Sequence, residues 1–144
     1  MIWDVIIQIL AAFIGTLGFG FLFNIRGRKL LFSAIGGMAA WGLFLLLGLY
    51  LEGEAIRYFL VAICSTAYSE ILARILKTPA TTFCIITLIP LVPGGALYYT
   101  TTHALSGNYQ EFIPKLISTA ELAVALSLGI VIVTAIFRFF RIKH

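Results

Sequence analysis

The sequence predicts an all-α, polytopic integral membrane protein with five transmembrane helices, the fourth of them broken at Pro90–Gly95. Three observations lead there. Apolar residues make up 61% of the 144 positions and charged residues only 11%, with a mean hydropathy of +1.06. A soluble domain carries roughly 25% charged residues, so this chain has too few to coat a water-facing surface. The apolar residues fall in five runs, each close to the ~20 residues that cross a bilayer. The basic residues gather on alternate connections between those runs. The same composition excludes intrinsic disorder, which needs low hydrophobicity and high charge.

The first helix is expected over 2–23. Its run is too long for the core of a signal peptide, and Asp4 stands where a positive leader belongs. Arg26, Arg28 and Lys29 follow in a short polar loop, where Asn24 caps or turns the chain. The second helix is expected over 30–51, closed by Glu52, Gly53 and Glu54. A third, over 55–76, carries Glu70 and Arg74 in its last third and ends at Lys77-Thr78-Pro79, proline being a usual stop beyond a helix end. The fourth, over 80–104, is interrupted at its centre by Pro90-Leu91-Val92-Pro93-Gly94-Gly95. After a polar loop from Ser106 to Glu111, a fifth helix is expected over 114–137, with Pro114 suited to its first turn. Residues 1–144 thus read as a single five-helix unit without an internal repeat.

The net charge of +4 is then a matter of topology. Arg26, Arg28, Lys29, Arg74, Lys77, Arg138, Arg141 and Lys143 lie on one side of the five spans, and only Arg57 and Lys115 on the other. The basic flank faces the cytoplasm, so the N-terminus is expected outside and the C-terminus inside. Basic residues scattered over three flanks form no stripe, and nucleic acid is not an expected partner. The partner read from composition is the lipid bilayer of a plasma (cell inner) membrane. An odd span count also suits an inverted partner, a second copy or a second protein.

Polar chemistry enters the apolar runs at a few places. Pro90 and Pro93 remove two backbone donors, and Gly94 and Gly95 add backbone freedom. Placed near the middle of its run, the break is expected near the bilayer midplane, where freed carbonyls and amides must be buried in protein or line a wet cavity. A half-helix restarting near Gly95 turns its positive dipole end toward an anionic group, with Tyr98 and Tyr99 a turn away. A proline kink repaired by neighbouring helices is the plainer reading of the same residues. Glu70 and Arg74, four apart, have the spacing of an ion pair on one helix face. They read equally as a functional group and as a structural pair near the cytoplasmic interface. Glu121 stands alone in the fifth helix, where an acid needs protonation, hydration or a partner across helices. It suits proton coupling, or else is an acid near the helix start at the outer interface.

The remaining polar residues suggest less. Cys64 and Cys84 sit in apolar runs without disulfide or metal spacing and read as buried small hydrophobes. His103 is a lone histidine and reads as a bystander, Trp3 and Tyr50 as interfacial anchors, and Trp41 as a deeper packing residue. Glycines 15, 18 and 20, with Gly36 and Gly37, permit close helix packing. No pattern for a catalytic nucleophile, a zinc site or a phosphate loop occurs, so no catalytic residue, metal ligand or cofactor is expected.

Several of these segments match a known family. Gly18-Phe-Gly-Phe-Leu-Phe-Asn-Ile25 before a basic loop, Ser69-Glu-Ile-Leu-Ala-Arg74, Lys77-Thr-Pro-Ala-Thr-Thr-Phe83 and Ile89-Pro-Leu-Val-Pro-Gly-Gly95 with Tyr98 resemble the threonine/serine exporter (ThrE) family. The resemblance is to its small-subunit, C-terminal-half form. It implies a proton-motive-force-dependent exporter of a small-molecule substrate: threonine or serine, or succinate in the two-subunit branch. It further implies a larger membrane subunit of the same family. On that reading Pro90, Pro93, Gly94, Gly95 and Tyr98 are the expected substrate-binding residues, and Glu121, Glu70 and Arg74 the proton-coupling or structural set. The alternative is a non-transporting membrane subunit that assembles or regulates a partner, and a passive pore is a third.

Overall fold

The structure, a computed structural model, describes the backbone of residues 1–142 and the side chains of residues 1–140. The expectations for the side chains of Arg141 and Lys143 lie outside them. Helices α1 (Ile2–Leu22), α2 (Arg28–Leu47), α3 (Glu54–Ile75), α4 (Ala80–Leu88), α5 (Gly94–Leu105) and α6 (Tyr109–Ile142) follow in order, with a 3-10 turn at Ile89–Leu91. Four of them, α1, α2, α3 and α6, are each long and apolar enough to cross a membrane. α4 and α5 reach that length only as a pair, bent by 61° at the break.

Local chemistry explains the helix ends. Beyond α1 and α3, Asn24 (φ 57°) and Lys77 (φ 49°) turn left-handed. The Ile25 amide then donates back to the Gly20 carbonyl at 2.9 Å, and that of Thr78 to Ala73 at 3.0 Å. These bonds close carbonyls that a helix end leaves open. Asn24 is therefore a cap. α2 stops at Leu47, not at residue 51, because the amides of Tyr50 and Leu51 both fold onto the Leu47 carbonyl, at 3.1 and 2.8 Å. Hydropathy cannot mark that end, since Leu49, Tyr50 and Leu51 are as apolar as the helix. α6 begins at Tyr109 rather than at Pro114, because the Asn108 side-chain oxygen accepts the Glu111 amide at 3.4 Å and caps it. Pro114 accordingly lies inside the helix.

α3 forms the centre, packed on α2 and α4 and most extensively on α6. α1 packs on α2 and the 3-10 turn, whereas α5 packs chiefly on α6. Gly129 of α6 lies against Ala62 and the Phe59 carbonyl of α3. Further along both helices, the Arg74 guanidinium lies 5.0 Å from the Phe137 ring. α3 and α6 therefore run parallel. The chain leaves α3 at one end and enters α6 at the other, so the α4–α5 pair is a broken span and not a re-entrant loop.

Three apolar clusters hold the body together, one of them Ile25, Leu30 and Ile86 between the α1–α2 connection and α4. Toward the end away from Lys77, Phe44, Tyr58, Val61, Leu88, Leu91 and Leu122 are buried together. The Phe44 and Tyr58 rings meet edge-on at 4.9 Å, and the Arg57 guanidinium lies 5.0 Å over Phe44. Nearer the basic end, Phe83 is fully buried between Leu72 and Ala73. Several buried hydroxyls are returned to their own helices: Thr16 donates to Ala12 (2.6 Å), Ser33 to Lys29 (2.8 Å) and Ser69 to Ser65 (2.8 Å), whereas that of Thr87 is buried without a partner among the described residues. This self-bonding removes the cost of an unpaired polar group in an apolar interior. Trp41 does pack as expected, stacked on Phe44 at 5.2 Å. The cysteines differ from expectation. Cys64 is exposed and Cys84 only half-buried, because Cys64 lies on an open side of α3 and Cys84 borders a groove.

A Cβ at Gly129 would stand 2.6 Å from the Ala62 Cβ and 2.9 Å from the Phe59 carbonyl oxygen, part of a helix backbone that has no room to yield. Gly129→Val is expected to destabilise the protein by about 1–3 kcal/mol, read as a lower melting temperature in detergent. Gly42→Ala, with nothing within 4 Å, is expected to leave that temperature unchanged or slightly raised.

Candidate functional site

The break is built by its two prolines. Without an amide at Pro90 and Pro93, the ladder contracts to a bond from the Val92 amide to Ile89 (3.1 Å), and α5 restarts with the Leu97 amide on the Pro93 carbonyl (3.0 Å). Pro90 lies beside Gln8, Ala12 and Trp41. Gln8 and Trp41 are each about 9 Å from the end of their helix at 1.5 Å per residue. The break is thus displaced from the midplane toward the end opposite Lys77. Hydropathy places it centrally because it counts residues, whereas α4 stands along the body and α5 leans away from it.

Beyond the break the expected residues face outward. Gly94 and Gly95 meet nothing within 4 Å of where a Cβ would stand, and Tyr98 is 67% exposed. The Tyr98 and Tyr99 rings contact each other at 5.5 Å. Thr101 and Thr102 on the same helix are also exposed and bond only to their own backbone. α5 is anchored to α6 by the hydroxyls of Thr100 and Thr119, 3.0 Å apart and buried. The structure therefore joins Gly94, Gly95 and Tyr98 in an open polar face rather than in a closed pocket.

A second feature lies between α3, α4 and α6. A cleft of about 560 Å³ at the basic end is bordered by Glu70, Arg74, Thr81, Thr134 and Arg138. It continues into a slot of about 440 Å³, which shares Glu70, Thr81 and Thr134 and reaches Thr66, Cys84, Leu88 and Leu126. From Arg138 to Leu126 the groove follows α6 for about 18 Å. Leu88 is the last residue of α4, so the groove ends where the break begins. These volumes suit a small molecule.

Glu70 and Arg74 do not form the ion pair their spacing suggests. Among the described residues the one ion pair joins the N-terminal amine and Asp4, at 2.8 Å. The Arg74 guanidinium instead lies over the Phe137 ring at 5.0 Å and donates to its carbonyl at 3.5 Å. Stacking on an aromatic face competes well with an exposed i,i+4 pair, which is worth only a few tenths of a kcal/mol. Glu70 is left half-buried in the groove with a free carboxylate. Glu121 is exposed, and nine positions separate it from groove-lining Ile130, about two and a half turns. Their side chains leave α6 on opposite sides, so the structure does not bring Glu121 to Glu70. His103 lies in the last turn of α5, and among the described residues no three His, Cys, Asp or Glu side chains could hold a metal.

Sequence reading did not find Thr81, Cys84, Thr134 or Arg138 as neighbours of Glu70. Thr81 and Cys84 lie on α4 and Thr134 and Arg138 on α6, and only the packing of both helices on α3 brings them to Glu70. Thr134, an isolated hydroxyl in the long apolar run before Arg138, is the one signal available.

Together these features define a helical membrane protein with a groove that enters from its basic end, charged at the mouth and apolar within. The sequence model of the family described as Threonine/Serine exporter, ThrE, matches residues 8–136. The chain belongs to the threonine/serine exporter family. No curated protein and no solved structure matches it at a significant level.

Because Glu70 holds no ion partner among the described residues, Glu70→Gln is expected to change the unfolding free energy by less than about 1 kcal/mol. Arg74→Ala removes the ring contact and is expected to cost about 0.5–1 kcal/mol. Thermal unfolding of both variants in detergent checks the order.

Proposed function

We propose that this chain is one subunit of a secondary exporter that carries threonine and serine, or a dicarboxylate such as succinate, out of the cytoplasm. The groove from the basic end to the helix break is the observation that carries the reading. With the basic flank on the cytoplasmic face of a plasma (cell inner) membrane and the N-terminus outside, the groove opens to the compartment from which an exporter loads. Transport depends on the proton-motive force and needs no cofactor or catalytic step.

Beyond the break, the path follows the face of Gly94, Gly95 and Tyr98, with Pro90 and Pro93 holding the bend. Backbone freed at such a depth is stable only against protein or water. That need supports a larger membrane subunit of the same family covering the face, a second copy of this chain being the other occupant to test. Glu121, an acid on an otherwise apolar side of α6, is the proposed coupling carboxyl. Glu70 and Arg74 belong to the loading end.

Efflux of labelled threonine, serine and succinate is expected to quicken in cells making this chain with its larger partner, and to fall to background with an uncoupler. Glu121→Gln is expected to abolish the uncoupler-sensitive part while the protein still inserts. Gly94→Leu is expected to block efflux by filling the face. Equal efflux of all three compounds with and without the chain overturns the reading in favour of an assembly or regulatory subunit. Efflux indifferent to the uncoupler indicates a passive pore.

A further inference from the structure

We propose that the groove between α3, α4 and α6 seats one anionic phospholipid, with its phosphodiester at the arginines of the mouth and one acyl chain along the slot. This goes beyond the exporter reading and does not need it. Lipid and solute take the same mouth in turn, and lipid binding is measured with no transport.

The groove changes character along its length in the order that a phospholipid does. Its mouth carries Arg74, Arg138 and Glu70. Two guanidiniums against one carboxylate leave a net positive charge, the complement of a phosphodiester. Basic pockets between membrane helices at such an end recognise anionic headgroups. Arg74 gives one face to the Phe137 ring and one N–H to its carbonyl, and a guanidinium has further donors for a phosphate. Arg138 is exposed and forms no ion pair among the described residues. One turn along α6, about 6 Å from Arg138, Thr134 stands with Thr81 where mouth and slot join. Their hydroxyls suit the ester carbonyls, which accept hydrogen bonds and come next after the phosphate. Deeper still the lining is nearly all apolar, with Ile85, Leu88, Leu126 and Ile130, as a hydrocarbon chain requires.

Length and width agree with that occupant. From Arg138 to Leu126 the groove runs about 18 Å, against roughly 15 Å for the hydrocarbon of one leaflet, half of a ~30 Å core. It starts at headgroup level and ends about where one acyl chain ends. A slot of about 440 Å³ spread along the roughly 12 Å from Thr134 to Leu126 has a section of about 40 Å². A partner helix about 10 Å across fills about twice that section. The slot takes a chain and is too narrow for a helix.

The test places the full chain in phosphatidylcholine nanodiscs doped with phosphatidylglycerol that carries a diazirine near the end of one acyl chain. Cross-linked residues are read by mass spectrometry at probe doses below saturation. Adducts are expected on Cys84, Leu88 and Leu126, well above those left by a phosphatidylcholine bearing the same diazirine. Arg138→Gln is expected to lower slot labelling about fivefold, and Arg74→Gln together with Arg138→Gln roughly thirtyfold, from the usual worth of a basic residue at an anionic surface. Glu70→Gln removes the one negative charge of the mouth and is expected to raise labelling. Native mass spectrometry gives a second readout if the diazirine inserts poorly, with phosphatidylglycerol retained by the natural chain and lost from the double arginine variant. Unlabelled phosphatidylglycerol is expected to displace the probe, and inorganic phosphate is not. Displacement by phosphate equal to that by the lipid shows a bare anion site and overturns the proposal. Equal labelling by the phosphatidylcholine probe, or labelling unchanged in the double variant, shows contact with bulk lipid alone and overturns it too. A slot without adducts, with Cys84 cross-linking to a second protein chain, assigns the groove to a protein partner and is equally fatal. None of these outcomes bears on the exporter reading, which stands or falls on efflux.

Discussion

The parallel contact of α3 and α6 is the constraint on which the rest of the structure depends. Two helices that advance in the same direction cannot be joined by a tight loop, so the chain between them must recross the full body. It does so through α4 and α5. The close approach at Gly129, against the Phe59 carbonyl and Ala62, fixes the separation of the two long helices. Their separation in turn determines that Glu70, Thr134 and the start of α4 surround one groove. Apolar packing supplies the adhesion, with Val61, Leu88, Leu91 and Leu122 removed from solvent in one cluster.

A second constraint acts on the polar atoms. In apolar surroundings each unmet donor or acceptor is costly, and this chain meets most of them within single helices through hydroxyls that return to the preceding turn. Thr16, Ser33 and Ser69 are buried in that way. The exceptions lie beside the break: the Thr87 hydroxyl and the Trp41 indole nitrogen are buried without a partner among the described residues, and Pro90 and Pro93 have no amides to give. Its neighbours do not supply a closed set of substitutes, and α5 presents Gly94, Gly95 and Tyr98 outward. The groove, by contrast, holds a carboxylate that its own helix has the means to pair, in Arg74, and leaves unpaired. Arg74 is taken instead by the ring and carbonyl of Phe137.

The all-helical fold and its membrane-crossing helices were legible because hydropathy and chain length report directly on what a bilayer accepts. The broken fourth span was legible from two prolines and two glycines in an apolar run. Helix ends were less so: α2 stops inside an apolar run at a bond pattern on Leu47, and α6 starts early on an asparagine cap. Periodicity placed Glu70 and Arg74 on one face but said nothing of Phe137, which lies far along the chain and takes the guanidinium. The groove was beyond reach for the same reason, since its walls come from three helices whose register only tertiary packing sets. Spacing within one helix is local information; contact between helices is not.

The lean of α5 divides the molecule unevenly. α1, α2, α3 and α4 each pack on several neighbours, whereas α5 packs chiefly on α6 and is tethered by a bend on one side and a short loop on the other. A segment with so few buried contacts has the least to lose on opening, and local stability follows contact. The angle at Pro90–Gly95 is therefore set less by the body than by whatever presses on the outer face of α5. The broken span leaves the four long helices and α4 as the frame and sets α5, twelve residues long, against its surroundings.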